Sequence, residues 1–462
     1  MDNRKKSRYE FIEQLFEEIE RIPIDQIVGQ YVNLVQRGQH KMGLCPFHVD
    51  TKLGSFIVTP QKKLWKCFAC GDGFAGNGVK FVSLYENISY LEAAFQIGIR
   101  YNIISMEEYE YYSSKQWDPG YVRRLEKRFS DKKLEEEKPV RAAASVIHRV
   151  YQLLKEYSGL SEEHFKHLSG LRGLPEKRIL KDYFSFPVNG KRKAAIVSYI
   201  MQETELKKEE LMTVPGFFFD KKKNRITFSS CRGIGILIRD AMDQIIGIQI
   251  RRDTIKAGEV RYRWFSSTFA FYNQKEYEGG CGCGSPCDIL FSDSPNPKSC
   301  LCLTEGRFKS EVLSQYGNTA ISIQGVSTWR GVEPILQKLI KTQKKISNIN
   351  LFFDADLLGN YPLILQLEKM VELFKKEFPQ FNIRYALWSK EYGKGIDDCI
   401  LNGYVKKVQF FPAEVVIKAC HETWREILKK YKISSVRDLN VEQRKEIVQE
   451  LQNCNERKLL LS

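Results

Sequence analysis

The sequence predicts a multidomain protein of α+β and α/β class, a small metal-stapled module followed by a core that ends in a parallel sheet. Three observations predict it. Two ligand pairs, Cys45–His48 and Cys67–Cys70, are separated by eighteen residues, which is the arrangement tetrahedral zinc requires. From Leu301 to Leu387, short apolar runs alternate with amphipathic stretches, the rhythm of parallel strands joined by crossover helices. Between these regions, Glu107–Ala144 is crowded with charge and poor in aliphatics, a composition that buries little surface and reads as a linker.

At 462 residues the chain can hold two or three cores. The net charge of +15 points to a polyanionic partner, most simply nucleic acid. No apolar run approaches the ~20 residues of a membrane span, and charges fill the amino-terminal stretch where a secretory signal would be apolar. The expectation is a cytoplasmic protein without a membrane partner. Its 12 cysteines then suggest metal ligation or buried thiols, not disulfides.

In chain order, Phe11–Val28 has helical apolar spacing and predicts one or two short helices. Cys45, His48, Cys67 and Cys70 follow, with strands expected at Ser55–Thr59 and Leu64–Lys66 to bring the pairs together. Four protein ligands leave no open position, so this zinc, one per chain, is structural. Lys62, Lys63, Trp65, Lys66 and Phe68 put charge and aromatic faces on the second hairpin arm, which suits single-stranded nucleic acid. Core packing is the competing role for Trp65 or Phe68. Val146–Tyr183 reads as helical, its His164 and His167 as partly exposed, and Arg225–Ser267 as a β-rich surface with alternating arginines. Glycine-rich spacing around Cys281, Cys283 and Cys287 offers a second zinc site, but without the paired C-x₂ bites of the first, and buried thiols are the favoured reading.

The carboxyl-terminal sheet carries the chemistry. The run Leu301–Glu305 ends in a carboxylate, and Ile349–Phe353 ends at Asp354 and Asp356. In extended chain those two aspartates project to the same side, at the edge where open α/β sheets bind ligands. A third run, Ile383–Leu387, leads to Asp397 and Asp398. Convergent carboxylates favour Mg²⁺ or Mn²⁺ and phosphoryl chemistry. Glu305, Asp354, Asp356, Asp397 and Asp398 are therefore the catalytic candidates, and the first three the metal ligands. Lys309, four residues after Glu305, can pair with it or contact a phosphate.

The stretches RGQHKMGLCPFH, GSFIV, WKCFACGDG and VKFVSLYENISYLEAAFQI resemble the CHC2 zinc-binding domain of bacterial DnaG-type primases, with Gly54 in place of the usual proline. RGL at Arg172, RITF…IGILIRDAMDQIIGIQIRR and RYRWFSS resemble the primase core. That matching implies template or nucleotide contacts at Arg172, Arg251 and Arg261, with Arg263 the alternative to the last. TEG at Glu305, FFDADLLGN and GKGIDDC resemble a TOPRIM domain, except that Lys309 replaces an aspartate and leaves one metal position open.

The implied organisation is a CHC2 zinc-binding domain at 1–112, a charged linker at 113–145, a basic half-core at 146–280, a TOPRIM-like domain at 281–410 and a short helical tail at 411–462. The implied function is a DNA primase of the mobile-element or phage-like kind, making RNA primers from ribonucleoside triphosphates on a single-stranded DNA template. A replicative helicase is the further partner the resemblance implies, although the short tail leaves that contact open. The competing reading, favoured by Lys309 and the tail, is a non-polymerising single-stranded-DNA-binding protein or TOPRIM nuclease on the same fold.

Overall fold

A computed structural model describes residues 7–460 except 39, 72, 131–138, 257–258, 293, 295–297, 343–345 and 434–435. The charged centre of the expected linker thus lies outside the described residues. The chain forms two compact units. One comprises Met1–Glu136, Leu358–Gln366 and Cys420–Asn455, the other Glu137–Leu357, Leu367–Ala419 and Glu456–Ser462.

In the first unit, helix Arg8–Arg21 starts at a capping box between Ser7 and Glu10, which satisfies backbone N–H groups the first turn leaves over. Its Ile12, Leu15, Phe16 and Ile19 fall on one face and are buried. Five antiparallel strands follow in chain order: Val35–Arg37, His40–Gly43, Phe56–Thr59, Leu64–Cys67 and Ala75–Gly76. Phe56, Trp65 and Phe81 fill the core beneath them.

One expectation is corrected by the structure. Helix Pro119–Ser130 sends Leu125 and Phe129, four apart on one face, into this same core. The described residues of the first half of the 113–145 segment are therefore packed, not loose. The segment from 411 is helical, as the sequence predicts, and it is also packed. Helices Ala413–Tyr431 and Val441–Leu460 contribute Ile427, Ile447 and Leu451 to a small cluster that Val49, Tyr361 and Trp424 flank.

In the second unit, an antiparallel sheet runs Tyr262–Trp264, Ile245–Arg252, Gly233–Arg239, Tyr183–Ser185, beside a three-stranded sheet of Tyr277–Glu278, Phe217–Asp220 and Arg225–Phe228. A six-stranded sheet follows in the order Asp288–Leu290, Thr319–Ile323, Cys300–Glu305, Asn348–Phe352, Asn382–Leu387, Gln409–Pro412. Its four central strands are parallel and its two outer pairings antiparallel. The expected parallel α/β sheet is present, with three strands starting one residue earlier than the apolar runs suggest. Asn350 interrupts its run because Arg384 Nε donates to its buried Oδ1 at 3.1 Å. Parallel strands end at a common edge, so Glu305, Asp354 and Asp356 emerge side by side.

Candidate metal centres and nucleic-acid interface

The ligand atoms of Cys45, His48, Cys67 and Cys70 all lie within 4.8 Å of one another. Cys45 Sγ and Cys70 Sγ are 3.8 Å apart, and His48 Nδ1 is 3.2 and 3.7 Å from the sulfurs of Cys70 and Cys67. A tetrahedral zinc ~2.3 Å from each thiolate sets its sulfurs ~3.8 Å apart, so the four residues fit that ion. Burial and the neighbouring sulfurs push the Cys45 thiol far up, and a cation lets two buried thiolates and the half-buried Cys70 share one pocket.

Side chains distant in sequence support the knuckles. Asp50 accepts from Cys45 N at 2.9 Å and Ser55 Oγ at 2.5 Å, and its Oδ2 lies 3.9 Å from His48 Nε2. The buried Arg444 Nη1 donates to the carbonyls of Cys45, His48 and Asp50 at 3.0, 3.4 and 3.5 Å. Gln366 Nε2 donates to the Cys70 carbonyl at 3.1 Å. A side chain at Gly71, held at φ +75°, would meet that amide. Nothing in the spacing of the cysteines signals Arg444 or Gln366.

The expected nucleic-acid contacts of this module divide. Trp65 is 1% exposed and donates from Nε1 to Asn77 O at 3.0 Å; it is core and cannot stack on a base. Lys63 Nζ donates to the Glu20 carbonyl at 2.7 Å, at the end of helix Arg8–Arg21 where carbonyls lack partners, so it too is spent internally. Lys62 lies near His40, whose imidazole is held below its ordinary range by burial and then by that charge. Lys66 is exposed and sits 4.9 Å from the centre of the exposed Phe68 ring. That pair keeps the charge-and-aromatic surface that the sequence assigned to five residues.

In the second unit, strand Cys300–Glu305 turns through Gly306, at φ +88°, into helix Arg307–Gln315. The turn needs a positive φ, which glycine adopts without strain. Burial first, then Asp354, raise the Glu305 carboxyl, against the pull of Lys309. Lys309 forms an ion pair with Asp354 Oδ1, not with Glu305. Lys394 Nζ lies 3.5 Å from Asp354 Oδ2 and 3.0 Å from Asp356 Oδ2. The Lys394 carbonyl accepts from Ala355 N at 2.9 Å, which ties its loop to the DAD turn. Asp397 is buried, its carboxyl raised by burial and then by Asp398, with Arg172 Nη1 3.7 Å away. Asp398 is exposed and accepts from Gly395 N at 3.4 Å. It caps its own helix while Asp397 faces the edge.

Among the described residues, only the zinc quartet forms a ready-made metal cluster. At the acidic edge an ammonium already bridges Asp354 and Asp356. The oxygen donors of Glu305, Asp354 and Asp356 suit a hard divalent cation, and the bridging geometry marks where one would sit.

Arg172, Arg251 and Arg261 converge. Arg251 pairs across the sheet with Tyr262, its guanidinium pulled below its ordinary range first by burial and also by the charges of Arg172 and Arg261. Arg172 stacks 4.7 Å over Phe308 and so links this basic strip to the acidic edge. His164 is corrected: it is buried, with Nδ1 2.8 Å from Ser185 Oγ and Nε2 3.1 Å from Asp253 Oδ1. Cys281, Cys283 and Cys287 are buried, their thiols pushed up to about 11, 12 and 11 chiefly by burial, and among the described residues they do not bring three ligand atoms together as the quartet does.

Sequence patterning does not disclose the anchor below the edge. Arg307, 1% exposed, donates to Asp288 Oδ2 at 2.6 Å, Asp182 Oδ2 at 2.7 Å and Glu311 Oε1 at 2.8 Å. Arg239 reaches Asp182 at 2.7 Å, and Tyr183 donates to Glu311 at 2.9 Å. This network fixes the helix that presents Lys309.

The first unit contains a CHC2 zinc-finger domain: that family's model matches residues 8–113. Residues 294–406 match a family described as a domain of unknown function, DUF3854. Over the zinc module the chain is similar to DnaG-type DNA primases. It is 48% identical over 80 residues to the DNA primase of Aquifex aeolicus, covering 17% of this chain and 16% of that one. It is 38% identical over 96 residues to the DNA primase of Halalkalibacterium halodurans, covering 21% and 16%. The match thus spans about a sixth of the length of these curated relatives. Among solved structures, the Aquifex aeolicus primase (zinc binding and RNA polymerase domains) aligns at TM-score 0.42 and 19% identity, over 95% of this chain and 96% of that one. The RNA polymerase domain of Mycobacterium tuberculosis primase DnaG aligns at 0.45 and 14%, over 68% and 99%. No helix among the described residues is long and apolar enough to cross a membrane.

Proposed function

We propose that the protein is a DNA primase, a template-dependent polymerase that starts RNA chains on single-stranded DNA. One observation carries the reading: Arg172 joins a basic strip to an edge of convergent carboxylates in a chain whose zinc module is of the DNA primase kind. Template phosphates would lie along Arg251, Arg261 and Arg172, with Lys66 and Phe68 of the zinc module as a further contact for unpaired bases. Glu305, Asp354 and Asp356 would hold Mg²⁺ or Mn²⁺, which supplies charge neutralisation at the triphosphate when bound. Asp397, its carboxyl raised by burial and 3.7 Å from Arg172, would orient that guanidinium or accept a hydrogen bond from an incoming nucleotide. A helicase partner and a mobile-element setting belong to the same reading as expectations of the resemblance.

The test is incorporation of labelled ribonucleotides by the full chain on single-stranded templates with Mg²⁺ or Mn²⁺. Template-dependent, DNase-resistant product is the expected result. Strand binding without product on any template would favour the non-polymerising alternative, and cleavage of the template the nuclease.

A further inference from the structure

The two lysines of the acidic edge differ in a way that bears on how many cations it can hold. Lys309 stands on the first turn of helix Arg307–Gln315, which the buried Arg307 network locks in place. Its side chain is 17% exposed, it is ion-paired with Asp354 Oδ1, and its Cε packs under Gly395. Its backbone is fixed by that helix and its side chain is largely covered. Lys394 lies on a loop, 57% exposed, and reaches Asp354 and Asp356 from solvent. A long, exposed side chain can swing aside at little cost. Of the two seats taken by ammonium groups, one is fixed and one is exchangeable.

Charge balance points the same way. Glu305, Asp354, Asp356 and Asp397 face Lys309, Lys394 and Arg172, which leaves the edge about one negative charge when all are ionised. Once Lys394 withdraws from its seat the edge carries about two negative charges, which one divalent cation neutralises. A second would have to sit against the Lys309 ammonium with no carboxylate left to offset it.

We propose that the acidic edge takes a single divalent cation, seated where Lys394 bridges Asp354 and Asp356, and that Lys309 is a built-in second cation that receives phosphate oxygens directly. The proposal rests on the polymerase reading for its substrate, but cation number can be measured without any synthesis.

The experiment is Mn²⁺ titration of the zinc-loaded full chain, followed by the loss of the free-ion EPR signal, without nucleotide. The expected result is one Mn²⁺ at the acidic edge, lost in Asp356→Asn. Lys394→Met should tighten that ion by about tenfold without adding another. Lys309→Asp should add a second ion, and Lys309→Met should lower the affinity for a metal-free triphosphate about tenfold while leaving one Mn²⁺ bound. Retained zinc in each variant checks the first unit, and hydrogen exchange of Arg307–Gln315 checks the second. Two Mn²⁺ in the wild type, both lost in Asp354→Asn, would overturn the proposal, as would an unchanged count in a folded Lys309→Asp together with unchanged triphosphate affinity in Lys309→Met. One Mn²⁺ with no ribonucleotide incorporation would leave the cation count standing and overturn only the polymerase reading.

Discussion

Replacing Arg307 by methionine keeps most of the side-chain volume and removes the one cation shared by Asp182, Asp288 and Glu311. Asp182 retains Arg239 at 2.7 Å, and Glu311 retains Arg178 at 3.5 Å and the Tyr183 hydroxyl at 2.9 Å. Asp288 keeps only a backbone donor, Arg239 N at 2.9 Å, and its side chain is 0% exposed. The variant therefore strands one buried carboxylate, and breaking such a pair costs about 3–5 kcal/mol. The loss should depend on pH with a definite sign. Burial already raises the Asp288 carboxyl with Arg307 present, and removing the guanidinium raises it further. A folded-state pKa above the unfolded one means the native state binds more protons, so stability falls as pH rises through the interval between them. The deficit should be full at neutral pH and shrink on acidification toward the unfolded carboxylate range. Adding Asp288→Asn should recover about half of it, since no buried charge then remains unpaired. Because the chain has two units, the readout should be local: hydrogen exchange of the Arg307–Gln315 amides with denaturant, compared with exchange in the first unit. A change below about 1 kcal/mol, or one equal at pH 5 and pH 8, would refute the reasoning.

Asp354→Asn and Asp356→Asn should each abolish Mg²⁺-dependent synthesis while single-strand affinity stays within about threefold, because cationic side chains supply that affinity; filter binding and primer gels measure the two. Arg251→Ala and Lys66→Ala should each weaken single-strand binding and lower the magnitude of its log–log salt slope by about 1, whereas Lys63→Ala should leave the slope unchanged and destabilise only helix Arg8–Arg21. Arg444→Met should speed zinc loss to a chelator by about tenfold or more, as supporting partners of metal ligands commonly do. Zinc release as slow as in the wild type, followed with a colorimetric chelator, would show that the knuckle carbonyls do not need the guanidinium.

The local parts of both sites could be read in the sequence because their signals are local. A C-x₂ spacing bites a metal by geometry alone, and an apolar run ending in DAD places two carboxylates on one side of a strand. The strands Thr319–Ile323 and Phe56–Thr59 follow from period and β-branched composition in the same way. What a side chain does once the chain has closed on itself is a different matter. Lys63 and Lys66 look alike in the sequence, yet one terminates a helix forty-three residues away and the other faces solvent. Trp65 looks like a stacking platform and is core, because alternation says which residues share a face but not which face is covered. Pro119–Ser130 looks like linker because charge dominates it, although Leu125 and Phe129, with Tyr121 and Val122 beside them, dock it. Arg444, Gln366 and Arg307 carry no pattern at all. Their roles arise from orphan carbonyls and buried carboxylates supplied by segments up to 399 residues away, and only the tertiary structure brings donor and acceptor together. Sequence alone determined the zinc ligands, the acidic strand ends and the order of the sheet's strands in the chain. Folding decided which lysine is fixed against Asp354 and which can leave, because that depends on what packs around each ammonium and not on its charge.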